Sequence, residues 1–159
     1  KLLMAARPKY MFIHNPVDRH ETHLGTCLRT IAALRKLPKE MRPEKVYGME
    51  VWRSLDWLSA EDRLIFDTSK HPEIASSVIT AFESQCTPLK RFDSAALGRR
   101  LGNATFQAPR DNDPTNSCNL GVDLMPLIEN PELDIEEFVL ALIDRFRAEA
   151  GELVHRFMR

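Results

Sequence analysis

Tyr10-Met11-Phe12-Ile13-His14-Asn15-Pro16-Val17-Asp18-Arg19-His20-Glu21-Thr22-His23 is the stretch whose reading decides the fold. Its apolar start leads into a polar loop that holds three of the chain's five histidines and two carboxylates. Leu24, Cys27, Leu28, Ile31 and Leu34 follow at helical spacing. The order therefore reads as strand, loop, helix. In open α/β sheets, sites gather at the carboxyl ends of strands. His20 and His23, three apart at a helix start, can share one face. Such a pair can give a metal one nitrogen ligand and leave a second imidazole beside it. Two exposed histidines on a first turn would explain the spacing equally well. His14, Asp18 and the strand-to-helix position add weight to a metal site.

Outward from this stretch, strands and helices alternate. Residues 10–14 are expected as a buried strand, and the helix after His20 is expected to run to about Leu37. Pro38 to Pro43 reads as a surface loop. Val46 to Trp52 and Leu64 to Asp67 read as strands. Pro72 opens a helix at its first position, with Ile74, Val78, Ala81, Phe82 and Gln85 or Cys86 as the expected apolar face. Asp93 or Ser94 is expected to cap a helix reaching about Ala104. Residues 107–117 read as loop, and Leu120 to Leu124 as a last strand. Asp134 with Glu137 has capping-box spacing. Ile135, Phe138, Val139, Leu142, Ile143, Phe146, Ala150, Leu153 and Phe157 then form a helical stripe expected to contact the core. The class is α/β. No glycine-rich nucleotide loop is present.

Length and composition bound the function. A chain of 159 residues, 43% hydrophobic, fits one domain or a large part of one. A net charge of −1 gives no general attraction to nucleic acid or to an anionic membrane. The three scattered cysteines form no disulfide scaffold or zinc knuckle, so a reducing, cytoplasmic setting is expected. No apolar run approaches membrane-spanning length. Lys1 to Arg7 reads as the tail of an upstream helix stopped by Pro8, as though the chain were cut from something longer.

The His14-Asn15-Pro16 … Asp18-Arg19-His20-Glu21-Thr22-His23 motif, with its helix, resembles the second metal motif of the PIG-L (LmbE-like) zinc-dependent deacetylases. Tyr47-Gly48-Met49-Glu50-Val51-Trp52-Arg53-Ser54-Leu55-Asp56-Trp57 is similar to a segment of a bacterial branch of that family. So are Lys90-Arg91-Phe92-Asp93 and Gly98-Arg99-Arg100-Leu101-Gly102-Asn103-Ala104-Thr105-Phe106. The resemblance runs from about residue 8 to the final helix. It implies a Rossmann-like fold, a mostly parallel sheet flanked by helices, and hydrolysis of an N-acetyl group on an amino-sugar derivative. It implies that His23 ligates Zn2+, or another divalent metal. It gives His20 the catalytic place opposite the metal, where a cationic imidazole would steady the oxyanion or protonate the leaving amine.

The family's acid directly before the second histidine is Thr22 here, with Glu21 one place earlier. Asp18 is the other residue able to fix a ring by accepting its N–H. The family's His-Pro-Asp-Asp loop, which supplies the other ligands and the general base, is not in this sequence. His71-Pro72-Glu73 is only superficially alike. The chain thus reads as the C-terminal portion, residues 1–159, of a single deacetylase domain. It is expected to lack the first strands of the fold and to be inactive alone. An N-terminal segment, in the same longer chain or a separate one, is the expected partner. An unpaired strand edge would also favour association of copies.

Substrate-side candidates are His14, Glu50, Trp52 and Arg53. Arg53 could clamp an anionic or hydroxylated group, and Trp52 or Trp57 could stack on a sugar ring. A structural salt bridge and core aromatics are the competing explanation. Lys90, Arg91, Arg99 and Arg100 read as a phosphate site or, more simply, a solvated face. Cys27 lies four after His23 but suits a small buried apolar residue. A second function class stays open: a non-catalytic carbohydrate- or partner-binding module derived from the deacetylase fold.

Overall fold

The computed structural model describes residues 1–158. Helix α1 (Leu2–Ala6) ends at Arg7, whose φ of 42° puts it in the left-handed region just before Pro8. Strand β1 (Tyr10–His14) and helix α2 (Glu21–Arg35) follow, then β2 (Lys45–Met49) and β3 (Arg63–Asp67). Helix α3 (Pro72–Thr80), the short strands β4 (Cys86–Thr87) and β5 (Lys90–Arg91), and α4 (Phe92–Thr105) come next. The chain closes with β6 (Cys118–Asp123), α5 (Met125–Glu129) and α6 (Ile135–Phe157).

Four strands form one sheet in the order β1-β2-β6-β3. β1 and β2 are its one parallel pair, with His14 opposite Met49 at their carboxyl ends. β6 runs antiparallel to β2, Gly48 facing Val122. The expected mostly parallel sheet is thereby corrected: it is α/β, but mostly antiparallel. The β1-α2-β2 crossover makes a parallel neighbour. β6 is entered only after the long passage through α3 and α4, and its direction is set by where that passage ends, not by strand propensity.

The chain divides into two compact units, Lys1–Leu64 with Gly121–Arg159, and Ile65–Leu120. In the first, Cys27, Ile31 and Leu34 line the buried face of α2, and Val46, Val122, Leu124, Leu127 and Ile128 are also buried. Gly48 is required here by close approach: a Cβ would lie 3.1 Å from the Asn15 Cα and from Leu124 and Val122 side-chain atoms. Two arginines tie the ends of α2 and α5. Arg35 donates to the carbonyls of Leu127 and Leu133, and Arg42 to those of Leu37, Arg35 and Ile128. Helix-end carbonyls without intrahelical partners are thus met by cations, which also suit the negative end of a helix. The expected loop 38–43 is therefore an anchored segment, with a 3-10 turn at Lys39–Met41 and Pro43 buried.

Asp134 caps α6, accepting from the N–H groups of Glu136 and Glu137. The α6 stripe meets the core only in part: Leu142 is 2% exposed, but Phe146 is 43% and Phe157 79% exposed. Helical period reports one apolar face and says nothing of what covers it.

In the second unit, α3 corrects another expectation. Ile79 is its buried residue, while Ile74, Val78 and Phe82 are exposed, and the helix ends at Thr80. α4 begins at Phe92 with Arg91, not Asp93 or Ser94, at its cap. Asn103, buried on α4, donates to the carbonyl of Cys118. Asp67 accepts from the Ser69 hydroxyl, the Thr115 hydroxyl and the Ser69 N–H, which hold its carboxyl down at about 2. A depressed carboxylate contributes above its ordinary value and loses that contribution as pH falls through the folded value. We expect a carboxyl-carbon NMR titration of Asp67 to give a midpoint near 2. Thr115→Val should move it toward the ordinary 3.8. An unmoved midpoint would show that the Thr115 bond is not formed in solution. No helix among the described residues is long and apolar enough to cross a membrane.

Candidate metal centre

The carboxyl ends of β1 and β2 set the site. Asn15, fully buried, leaves β1 and donates its side-chain amide to the Met49 carbonyl at 2.8 Å, while its Oδ1 accepts the Val17 N–H. These bonds bend the β1–α2 loop across the end of β2. Asp18 then ties two backbones: the His20 N–H donates to Oδ1 at 3.0 Å and the Trp52 N–H to Oδ2 at 3.2 Å. Burial alone would raise the Asp18 pKa. The His20 and Trp52 N–H groups, with His23, outweigh it and leave the carboxyl below its ordinary value. Its side chain is fully shielded from solvent.

Three imidazoles stack beside this carboxylate. The rings of His14 and His23 are 3.9 Å apart at 3°, and those of His20 and His23 are 4.5 Å apart at 20°. His23 Nδ1 lies 3.5 Å from Asp18 Oδ2, yet it is buried with no hydrogen-bond partner. The contact is thus an electrostatic approach rather than a formed hydrogen bond. Burial, then the His23 imidazole, keep the His14 pKa below its ordinary value, against the pull of Asp18.

One donor atom each from His14, Asp18 and His23 fall within 4.8 Å of one another. Two imidazoles and a carboxylate are a donor set that divalent transition metals take. The orphaned Nδ1 is the observation that fits a cation here, because a buried polar nitrogen without a partner is costly. His23 would hold the metal. Asp18 and His14 are within reach either to share it or to fix the His23 ring.

His20 stands at the N-cap of α2, and its Nδ1 accepts the Thr22 N–H at 3.3 Å. That bond uses a lone pair on Nδ1, which leaves Nε2 as the ring nitrogen presented outward from the cap.

Of the other candidates, Trp52 borders the stack: its ring centroid is 6.3 Å from that of His20, and it is 41% exposed. Arg53 donates through Nε to the Val17 carbonyl, locking the loop after β2 onto the loop after β1. Glu50 is buried and accepts from Ser54 Oγ and the Leu55 N–H at 3.4 Å, closing the turn after β2. Glu21 sits exposed in the first turn of α2, where its charge suits the helix N-terminus, and pairs with neither imidazole. Cys27 is fully buried, and burial pushes its thiol up to about 12, so it packs as an apolar residue. Arg91 is engaged by Asp93, and Arg100 donates to Asn119. His71 pairs with Glu73 on an exposed surface. Sequence reasoning missed Asn15; its position directly after a strand that ends in His14 was the available signal.

A scan of protein-family models, a search of curated proteins and a search of solved structures each returned no match.

Proposed function

We propose that this chain carries the second metal motif and the substrate-side loops of a metal-dependent N-deacetylase of the PIG-L type, on a Rossmann-like α/β framework. The reaction is hydrolysis of an acetamide on an amino-sugar derivative, such as an N-acetylated glycoconjugate, to acetate and a free amine. The observation that carries this reading is the convergence of His14, Asp18 and His23 donors within 4.8 Å, with His20 stacked against His23. A bound Zn2+ or similar ion would polarise the acetamide carbonyl and lower the pKa of a water. His23 is the ligand, and Asp18 and His14 hold its ring or join it. His20, fixed by its cap bond, donates Nε2–H to the carbonyl oxygen as charge develops there. Trp52 borders this place and offers an aromatic face to a sugar ring. The general base belongs to a His-Pro-Asp-Asp loop, which these 159 residues do not contain.

The test is acetate release from N-acetylglucosamine derivatives, with and without zinc, by this chain alone and together with a segment bearing that loop, joined or separate. The expected result is no turnover by the chain alone and zinc-dependent turnover by the combination. Turnover by the 159 residues alone would overturn the division of labour. Sugar binding without turnover in any combination would overturn the enzyme and favour a non-catalytic carbohydrate-binding module.

A further inference from the structure

The loop between β1 and α2, which carries Asp18, also borders a cavity of about 490 Å³ walled by Pro16, Val17, Leu24, Trp57, Ile143 and Phe146, to which Asp18 and Arg53 also contribute. All of these residues lie in the first compact unit. The walls are apolar apart from those two. The carboxylate of Asp18 is shielded and already accepts two backbone N–H groups, so it leaves Arg53 as the charge this cavity presents.

The cavity is built in advance of any ligand. Arg53 spends Nε on the Val17 carbonyl, which fixes the guanidinium plane and leaves its two terminal amino groups for an occupant. Trp57 is held on two sides: its Nε1–H donates to the Ser54 carbonyl, and its ring meets Phe146 edge-on at 6.2 Å and 68°. The loop bearing both residues is tied down by the Trp52 N–H on Asp18 and by Glu50 on Leu55. Groups fixed in this way lose little freedom when they bind.

We infer that this cavity is a binding subsite for an apolar arm, aryl or short alkyl, that ends in a carboxylate facing the Arg53 amino groups. An aromatic wall suits such an arm, and a guanidinium with two free amino groups suits a carboxylate end-on. Taken with the proposed deacetylase, on which this part rests, the substrate is an N-acetylated sugar whose aglycone is apolar and acidic. Val17 and Asp18 lie in the loop between His14, the last residue of β1, and His20, the N-cap of α2, so the arm would lie beside the metal centre.

Calorimetry on chelator-treated protein tests the subsite without the metal. The probes are 4-phenylbutyrate, its neutral amide 4-phenylbutanamide, and phenyl phosphate. The expected result is that the carboxylate binds about tenfold or more tighter than the amide, the scale of a charge-assisted pair. Arg53→Gln should level the two. Phe146→Ala should weaken both and keep their ratio. Equal binding of carboxylate and amide by the unaltered chain, or no binding of either at millimolar concentration, overturns the inference. So does an unchanged ratio in Arg53→Gln. Phenyl phosphate binding tighter than phenylbutyrate overturns the carboxylate assignment. A dimer in sedimentation that excludes every probe overturns it too, since a second copy would then fill the cavity. If Arg53→Gln fails to fold, the carboxylate-to-amide ratio of the unaltered chain decides alone. Probe binding retained in His23→Ala, with no deacetylation by the unaltered chain in any combination, leaves the subsite standing and removes only the enzyme reading.

Discussion

His23→Ala is expected to lower zinc affinity by more than about 100-fold, the upper end of what losing even an outer-shell partner of a metal site costs. His23 is the central ring of the three-imidazole stack and one of the three residues whose donors converge. Removing it leaves His14 and Asp18 as donors of this cluster, and His20 engaged in capping α2. The substitution is mild for the fold. His23 is in the first turns of α2, its side chain is about 20% exposed, and alanine is the best helix former. Competition against a chromophoric chelator, with circular dichroism as the folding control, reads the effect. Equal zinc affinity in the two proteins would remove the metal centre from this loop.

Asp18→Ala destabilises the protein by about 3 kcal/mol, because the His20 and Trp52 N–H groups both lose a charged acceptor in a buried place. In a chain of this size that is about 6 to 12 °C in Tm. The loss falls where the two loops meet, so zinc affinity should fall with it, by about 10- to 100-fold, through the freed His23 ring. Asp18→Asn removes the charge and one of the two acceptors, since its amide NH2 cannot accept the N–H that the second oxygen held, so it should cost stability as well, though less than Asp18→Ala. The sign of the pH effect follows from the depressed folded pKa. Asp18 stabilises above its ordinary value of 3.8, and the contribution is lost as pH falls through the lower folded value. Between those limits the unaltered chain should lose stability with acid more steeply than Asp18→Asn. Parallel acid-unfolding slopes would mean that the carboxylate is not held as described.

Local chemistry made much of this legible. β1 spans 10–14 as its apolar run suggests, but it is not the buried strand expected: it lies at the sheet edge, with Tyr10 51% and Phe12 60% exposed, and α2 starts directly after His20. Asp134 caps α6 because an acceptor side chain before an apolar-periodic run meets N–H groups that have no other partner. The second strand is shorter than expected, ending at Met49, because Glu50 turns inward to bond Ser54 and Leu55 rather than continue the ladder. At the site, the histidines and Asp18 were visible as a set. Which nitrogen caps a helix was not, since His20 needed Thr22 at a particular backbone angle to show it.

The sequence by itself determined the order of the main elements (though not the short β4, β5 and α5), the loop proposed to carry the chemistry, and the residue types able to hold a metal. Each depends on period, turn formers and neighbours within a few residues. The tertiary structure alone decided that β6 opposes β2, that most of the α6 stripe beyond Leu142 stays exposed, and that Asp18 reaches across to Trp52. It also made the 3.9 Å stack of His14 on His23. Those outcomes join residues far apart in the chain, where the free energy comes from packing and burial between elements, and local preference carries no information about it.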